Sequence, residues 1–241
     1  KSSLALSAKT LMQLPAQAGV EEYPVKKLLL FLALTLVVAA PASAGQIILM
    51  DYTGFGWEDG GVPVSNPGDV LAITAIAQSY DPMFNVAPGT QEVTIYIYNL
   101  VSTGEFVSGA DTYISYTGGN IEIYEDTVLD HDWGINPPNP QVSTFTNGSL
   151  LLEGNFTDFI LILNSVGAGV YEGNIDGVGG TSAAICDGLA DCAYTFGGAF
   201  GRDIAQVPDG YDLQIDGTLE VDAAVPATQT SFGAVKALFT N

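Results

Sequence analysis

The stretch EVTIYIYNL, residues 92–100, alternates without a break. Val93, Ile95 and Ile97 fall on one side of an extended chain, and Thr94, Tyr96 and Tyr98 on the other. A period of two residues is the side-chain period of a β-strand and does not fit one face of a helix. The pattern recurs in NIEIYED (120–126), where Ile121 and Ile123 oppose Glu122 and Tyr124. QIILMDY, GDVLAITAIAQSY, SLLLEG, FTDFILILN, CAYTFGGAF and YDLQIDGTLEVD are further β-branched or aromatic runs, and FTDFILILN with the following VGAGVYEGNI reads as a hairpin. Turn residues punctuate these runs roughly every ten positions, as in all-β chains. Between residues 45 and 227 no segment keeps a 3.6-residue period for three turns. The expectation is therefore an all-β, antiparallel two-sheet sandwich or jelly roll in a single domain, residues 45–225. Alternating βα units, and the enzymes built on them, do not fit.

The segment before this domain carries an address. Lys26 and Lys27 precede an apolar run from Leu28 to Ala40, and Pro41-Ala42-Ser43-Ala44 supplies the small residues of a cleavage site. This is a secretory signal peptide over residues 25–44. Its 13 apolar residues fall short of the about 20 that span a bilayer. Gly45 rather than Cys follows the cut, which excludes a lipoprotein anchor. Val25 sits where an initiator would stand, so residues 1–24 read as translated leader outside any fold; a longer n-region starting at Met12 is the alternative. The resulting expectation is a protein of the outside or surface of a bacterial cell.

Removing residues 1–44 sharpens the charge pattern. Of six basic residues only Arg202 and Lys236 remain; of 27 acids only Glu21 and Glu22 are lost, so the exported span carries a net charge of −23. A surface so poor in cations does not neutralise phosphates, which excludes nucleic acid and anionic membranes as partners. Two cysteines, Cys186 and Cys192 in ICDGLADCAY, are an even, closely spaced pair in an exported chain and read as a disulfide.

Signals for chemistry are sparse. His131 is the only histidine and reads as a loop residue making a local hydrogen bond. No G-x-S-x-G elbow occurs, GGTSAA at 179–184 included. Paired carboxylates for glycoside hydrolysis are a matter of spatial rather than sequential spacing, and 25 acids offer no basis for choosing two. The densest acid cluster, YEDTVLDHDWG, makes Glu125, Asp126, Asp130 and Asp132 candidate Ca²⁺ ligands, since calcium takes hard oxygen donors on loops. Asp187 and Asp191 are a second, smaller pair. NGS at 147 and NFT at 155 match glycosylation sequons, which carry no meaning in most bacterial proteins.

The tail differs from the rest. In VPATQTSFGAVKALFTN, Thr230 or Ser231 can cap a helix, and Phe232, Val235, Leu238 and Phe239 fall on one face of it. Two turns are too short to be helical alone, so residues 226–241 need a surface to dock on, either this same domain or a receptor in the export machinery.

At GDVLAITAIAQSY, EVTIYIYNLVSTG, YTGGNIEIYED, TFGGAF and VPDGYDLQIDG the chain resembles secreted bacterial β-sandwich proteins of unassigned function, and TSFGAVKALF resembles their short sorting tails. The resemblance implies a surface protein and lends no catalytic residues. The tail lacks the apolar span and basic end of PEP-CTERM anchors. The leading expectation is a secreted, non-enzymatic surface or matrix structural protein that partners itself or extracellular polysaccharide. Its exposed sheet edges would mediate assembly, with QIILMDY as strand donor. A calcium-dependent carbohydrate-binding module, with tyrosines and Trp133 stacking on sugar rings, is the alternative.

Overall fold

The computed structural model describes residues 46–222, apart from 88, 135–141, 183–184, 186–192 and 204. The leader and signal segment, the tail and the Cys186–Cys192 pair lie outside the described residues. Among the described residues the chain forms nine strands: β1 (Gln46–Glu58), β2 (Val70–Tyr80), β3 (Glu92–Ser108), β4 (Asp111–Thr117), β5 (Asn120–Asp126), β6 (Ser149–Leu163), β7 (Gly169–Gly179), β8 (Ala193–Gly201) and β9 (Leu213–Asp222). Short 3₁₀ turns at Pro82–Phe84 and Val142–Phe145 interrupt two of the connections.

Every pairing is antiparallel, and apart from β4 and β5 each strand pairs with its neighbours in sequence. β4 and β5 are collinear halves of one strand position: Asp111 to Thr117 pairs with Ser108 to Val101, and Asn120 to Asp126 continues down Tyr98 to Glu92. β6 lies along both halves on the other side. The last strand then pairs with the first, from Gln46↔Asp222 to Gly56↔Leu213. The wall is therefore a closed, up-and-down barrel of eight strand positions, not the expected two-sheet sandwich. Alternation is common to both architectures, since each buries one face of every strand. Closure is what separates them, and it takes coordinated bends.

Three neighbouring strands bend at one level. β3 turns at Asn99, whose φ of 61° is left-handed; the β4–β5 position breaks at Gly118 and Gly119, with φ of 68° and 102°; and β6 shifts register between Phe156 and Asp158. Gly119 also has no room for a side chain, because a Cβ would come within 2.5 Å of Leu100. Such bulges increase local twist and curl a sheet toward closure.

The interior is packed solid with rings. Tyr52, Tyr194, Phe196 and Phe159 are at most 2% exposed, and Tyr52 stacks on Phe196 at 4.3 Å. The phenols are satisfied among themselves: Tyr171 donates to Tyr52 at 2.9 Å, and Tyr52 donates to the Gly197 carbonyl at 3.3 Å. Burial holds both hydroxyls well above the ordinary tyrosine pKa. Inward positions also carry glycine, at Gly54, Gly56, Gly154, Gly173 and Gly217, of which Gly173 lies against the Phe156 and Phe159 rings and Gly217 against the Tyr171 hydroxyl. Small residues facing large ones is how a narrow eight-stranded barrel fills its bore.

One end of the bore is plugged by a carboxylate. Glu58, 5% exposed, accepts from the Ser65 hydroxyl and the Tyr116 phenol, both at 2.5 Å. Ser65 meets Ser102 at 2.6 Å, and the Glu58 amide donates to Asp212 at 2.8 Å. Burial pushes the Glu58 carboxyl above its ordinary value, against the opposing effect of the two hydroxyl donors, and burial does the same to Asp212.

Outside, the connection after β5 folds over β1–β3. Trp133 meets Phe55 edge-on at 5.1 Å and lies against Phe145 at 5.6 Å; the Thr94 hydroxyl donates to the Phe145 carbonyl at 2.9 Å, and Tyr211 donates to the Trp133 carbonyl at 2.8 Å. This cover explains why β2 reads apolar on both faces: its outward Ala72 and Thr74 are as buried as its inward Leu71 and Ile73.

Two predictions follow from this packing. Gly173→Ala places a Cβ 2.5 Å from Phe159 and 2.8 Å from the Phe156 ring, and should cost roughly 1–3 kcal/mol by urea unfolding. Gly201→Ala, with nothing within 4 Å, should stay within about 0.5 kcal/mol. The second concerns pH. A carboxyl whose folded pKa is raised adds stability that is complete below the unfolded value of about 4.3 and is lost as pH rises through the folded one. Glu58→Gln should therefore gain on the wild type in Tm steadily between pH 4 and 7; a pH-independent difference would refute the assignment.

Candidate functional site

The expected calcium ligands do not converge. Asp126 accepts from the Val128 amide at 2.8 Å, Asp130 from the Asn147 side chain at 3.3 Å, Asp132 from the Gly134 amide at 2.8 Å, and Glu125 from Gln91. Each carboxylate closes its own turn or cross-strand contact. Among the described residues no group of three or more His, Cys, Asp or Glu side chains is placed to hold a metal ion. Asp187 and Asp191 lie outside the described residues.

His131 is not the local contact its loop position suggested. Its Nδ1 lies 2.7 Å from Glu92 on β3, a residue 39 positions away, while the amides of Asp130 and His131 both donate to the other Glu92 oxygen at 3.0 Å. Glu92 is 5% exposed, so this pair pins the outer connection to the barrel. Trp133, the expected sugar-stacking ring, is wedged between His131, Phe55 and Phe145 in the same cover. The Glu58 cluster is likewise sealed: Ser65, Tyr116 and Ser102 are at most 3% exposed.

A different set of residues gathers on the open outer wall of β3, β5 and β6. Outward positions of these strands place Tyr96 and Tyr98 beside Glu122 and Tyr124, with register pairs Tyr96↔Glu122 and Glu122↔Glu153. Tyr96 and Tyr98 stack at 4.8 Å with their planes 17° apart. The Glu122 carboxylate sits between two phenols, accepting from Tyr98 at 2.8 Å and from Tyr124 at 2.6 Å. Burial, followed by the hydrogen bond to Glu122, pushes Tyr98 up to about 12 and Tyr124 higher still. Both phenols therefore remain O–H donors through neutral and mildly alkaline pH.

A ladder of amides borders the tyrosines. Asn99 donates to Asn120 at 3.3 Å, and Asn120 to Asn155 at 2.8 Å, across three strands. The bend at Asn99 is what brings that side chain into line with the other two. The wall thus joins aromatic faces, phenol and amide donors, and carboxylate acceptors on a rigid sheet, and it holds no cation. The alternation of EVTIYIYNL and NIEIYED already sets these side chains on one face; what the sequence does not carry is the register that aligns Glu122 between two tyrosines.

Two surface hollows lie elsewhere. A groove of about 510 Å³ crosses β6–β9 between Ile162, Val170, Gly197 and Glu220, and a second, of about 410 Å³, lies at the barrel end opposite Glu58, where Phe84, Leu151 and Ile185 meet Glu125. No helix among the described residues is long and apolar enough to cross a membrane.

No family model matches the chain, and no curated protein matches it. Among solved structures, the Diels Alderase AbmU from Streptomyces koyangensis aligns over 94% of this chain and 91% of its own at 13% identity, with a TM-score of 0.30. A similarity of that size carries neither a fold assignment nor an activity.

Proposed function

We propose that this is an exported, non-catalytic surface or matrix protein that holds a neutral extracellular polysaccharide against the tyrosine wall of β3, β5 and β6. The observation that carries this reading is the arrangement of Tyr96, Tyr98 and Tyr124 around Glu122, beside the Asn99–Asn120–Asn155 ladder. Sugar rings present axial C–H groups, which pack on aromatic faces, and hydroxyls, which both donate and accept. The wall matches both needs. A carboxylate and phenols offer paired acceptors and donors, and the rings offer apolar area at little entropic cost, since a tyrosine has few torsions to freeze.

Charge narrows the polymer. With a net charge of −23 over the exported span, an anionic chain such as alginate would be repelled, and a neutral glucan or xylan would not. The signal-peptide pattern of residues 25–44 puts the wall where such polymers occur. The expected strand donor QIILMDY drops out of this account: β1 is paired on both sides, with β2 and with β9, and offers no edge.

Affinity electrophoresis of the exported protein through gels containing neutral or anionic polysaccharides tests the proposal. Retardation by at least one neutral glycan, unchanged by EDTA, is expected. Tyr98→Ala should weaken that retention by about tenfold, the equivalent of one lost stacking contact, and Glu122→Gln should weaken it less. Equal retention of Tyr98→Ala and wild type, or none of any neutral polymer, would remove the wall from consideration.

A further inference from the structure

We infer that the tail, residues 226–241, folds back into the groove on the outer wall of β6–β9. The groove exists because β8 has no side chains where it crosses the wall's waist. Gly197 and Gly198 form its floor, Ile160, Ile162 and Val170 one bank, and Thr218 and Glu220 the other, enclosing about 510 Å³. Val170 is 53% exposed, and Ile160 and Ile162 are half-buried on an outward face. Together they are an apolar strip on the outside of the barrel, bordered by Glu172, Thr195, Thr218 and Glu220. An apolar depression rimmed by polar residues marks a contact surface.

Three observations name the tail as its occupant. The first is position: β9 ends at Asp222, two residues beyond Glu220 on the groove's own bank. The ten residues from Asp222 to Phe232 reach at most about 33 Å, which sets the tail's apolar face within range of this wall.

The second is shape. At 100° per residue, Phe232, Val235, Leu238 and Phe239 fall on one side of a helix, so a narrow apolar stripe meets a narrow apolar groove. The third is charge. Lys236 is one of the only two cations in the exported span, and it flanks that stripe. The other, Arg202, is engaged far from the groove, donating to the Asp212 carbonyl at 3.3 Å. Glu172 and Glu220, which line the groove, give Lys236 its counter-charges. Docking would cover the apolar strip and bring Lys236 beside Glu172 and Glu220. The tyrosine wall lies on β3, β5 and the first half of β6, around Glu153 and Asn155, and stays open when the second half is covered, so this inference does not rest on the glycan-binding reading.

The test uses the full exported chain with Phe232 replaced by a photoreactive benzoyl-phenylalanine, irradiated at low concentration and mapped by mass spectrometry. Intramolecular links to Ile160, Ile162, Val170 or Thr218 are expected. Ile162→Glu or Val170→Glu, both outward substitutions that should leave the barrel's circular dichroism and Tm unchanged, should cut the link yield by about tenfold by placing a charge under the apolar stripe. Lys236→Glu should also lower the yield, and combining it with Glu172→Lys and Glu220→Lys should restore it. Links between two chains would identify the groove as a self-association site and overturn the inference. Links to another wall, or none at all, would overturn it equally.

Discussion

The pairing of β1 with β9 is the contact on which the rest of this structure depends. It joins residues 46 and 222 across the whole domain and turns a nine-stranded ribbon into a wall with a fixed bore. Once the bore is fixed, side-chain volume is no longer free to vary. Phe156 and Phe159 can pack as they do only because Gly173 leaves its side of the space empty, and the Tyr171 hydroxyl fits only because Gly217 does. The ends must be closed as well, and Glu58 with its hydroxyl partners does this at one of them. A ring this non-local must assemble before its packing is rewarded, and loop closure of that kind folds slowly. The short hairpins offset part of the cost by aligning each strand with the next.

The scarcity of cations shapes the interior as much as the surface. In most proteins a buried or half-buried carboxylate is met by lysine or arginine. Here hydroxyl, amide and imidazole groups take that role. Glu58 is met by Ser65 and Tyr116, Glu122 by Tyr98 and Tyr124, Glu92 by His131 and two backbone amides, and Asp158 by Asn174. Neutral donors hold a carboxylate less strongly than a guanidinium does, so desolvation prevails at Glu58 and its carboxyl moves upward; at Asp212 burial outweighs even the nearby Arg202 charge. The same substitution explains the many tyrosines. A phenol packs as a ring and donates as a hydroxyl, and it does both at Tyr116 and Tyr98 without adding charge.

Strand content was legible in the sequence because period-2 alternation is a local signal. EVTIYIYNL, NIEIYED and YDLQIDGTLEVD all lie in strands, and the FTDFILILN–VGAGVYEGNI hairpin is β6 with β7. The barrel was not legible, because alternation says which face is buried and not whether the sheet meets itself. The clue, in retrospect, is the placing of glycine at inward strand positions, as at Gly54 and Gly56 in YTGFGWE and at Gly173 against Phe156 and Phe159. Two opposed sheets have no need of so many empty inward sites, whereas a narrow bore does. The acid cluster is dispersed by the fold for a related reason. Glu125, Asp126, Asp130 and Asp132 are close in sequence, yet strand geometry and the turn after β5 point them at separate partners. The more telling carboxylate, Glu122, lies just upstream of that cluster in sequence and is set apart from it only by strand register.

Closure also decides where a ligand can be met. A barrel of eight strands has room for its own side chains or for one small molecule, and in this one the rings take the space. Admitting a ligand would mean expelling residues such as Tyr52 and Tyr194, each wholly buried, with loss of the packing that holds the wall closed. The outside is a different matter. Over β1–β3 it is covered by Trp133, Phe145 and Tyr211, but over β3, β5 and β6 tyrosines and asparagines stand open on a surface stiffened by every strand beneath it. A rigid wall holds its donors and acceptors in place before a partner arrives, and recognition then costs little ordering. The filled bore and the open wall are two consequences of one closed sheet: the rings that fill the inside are what hold the outside rigid, so that the proposed glycan would meet donors and acceptors already in place.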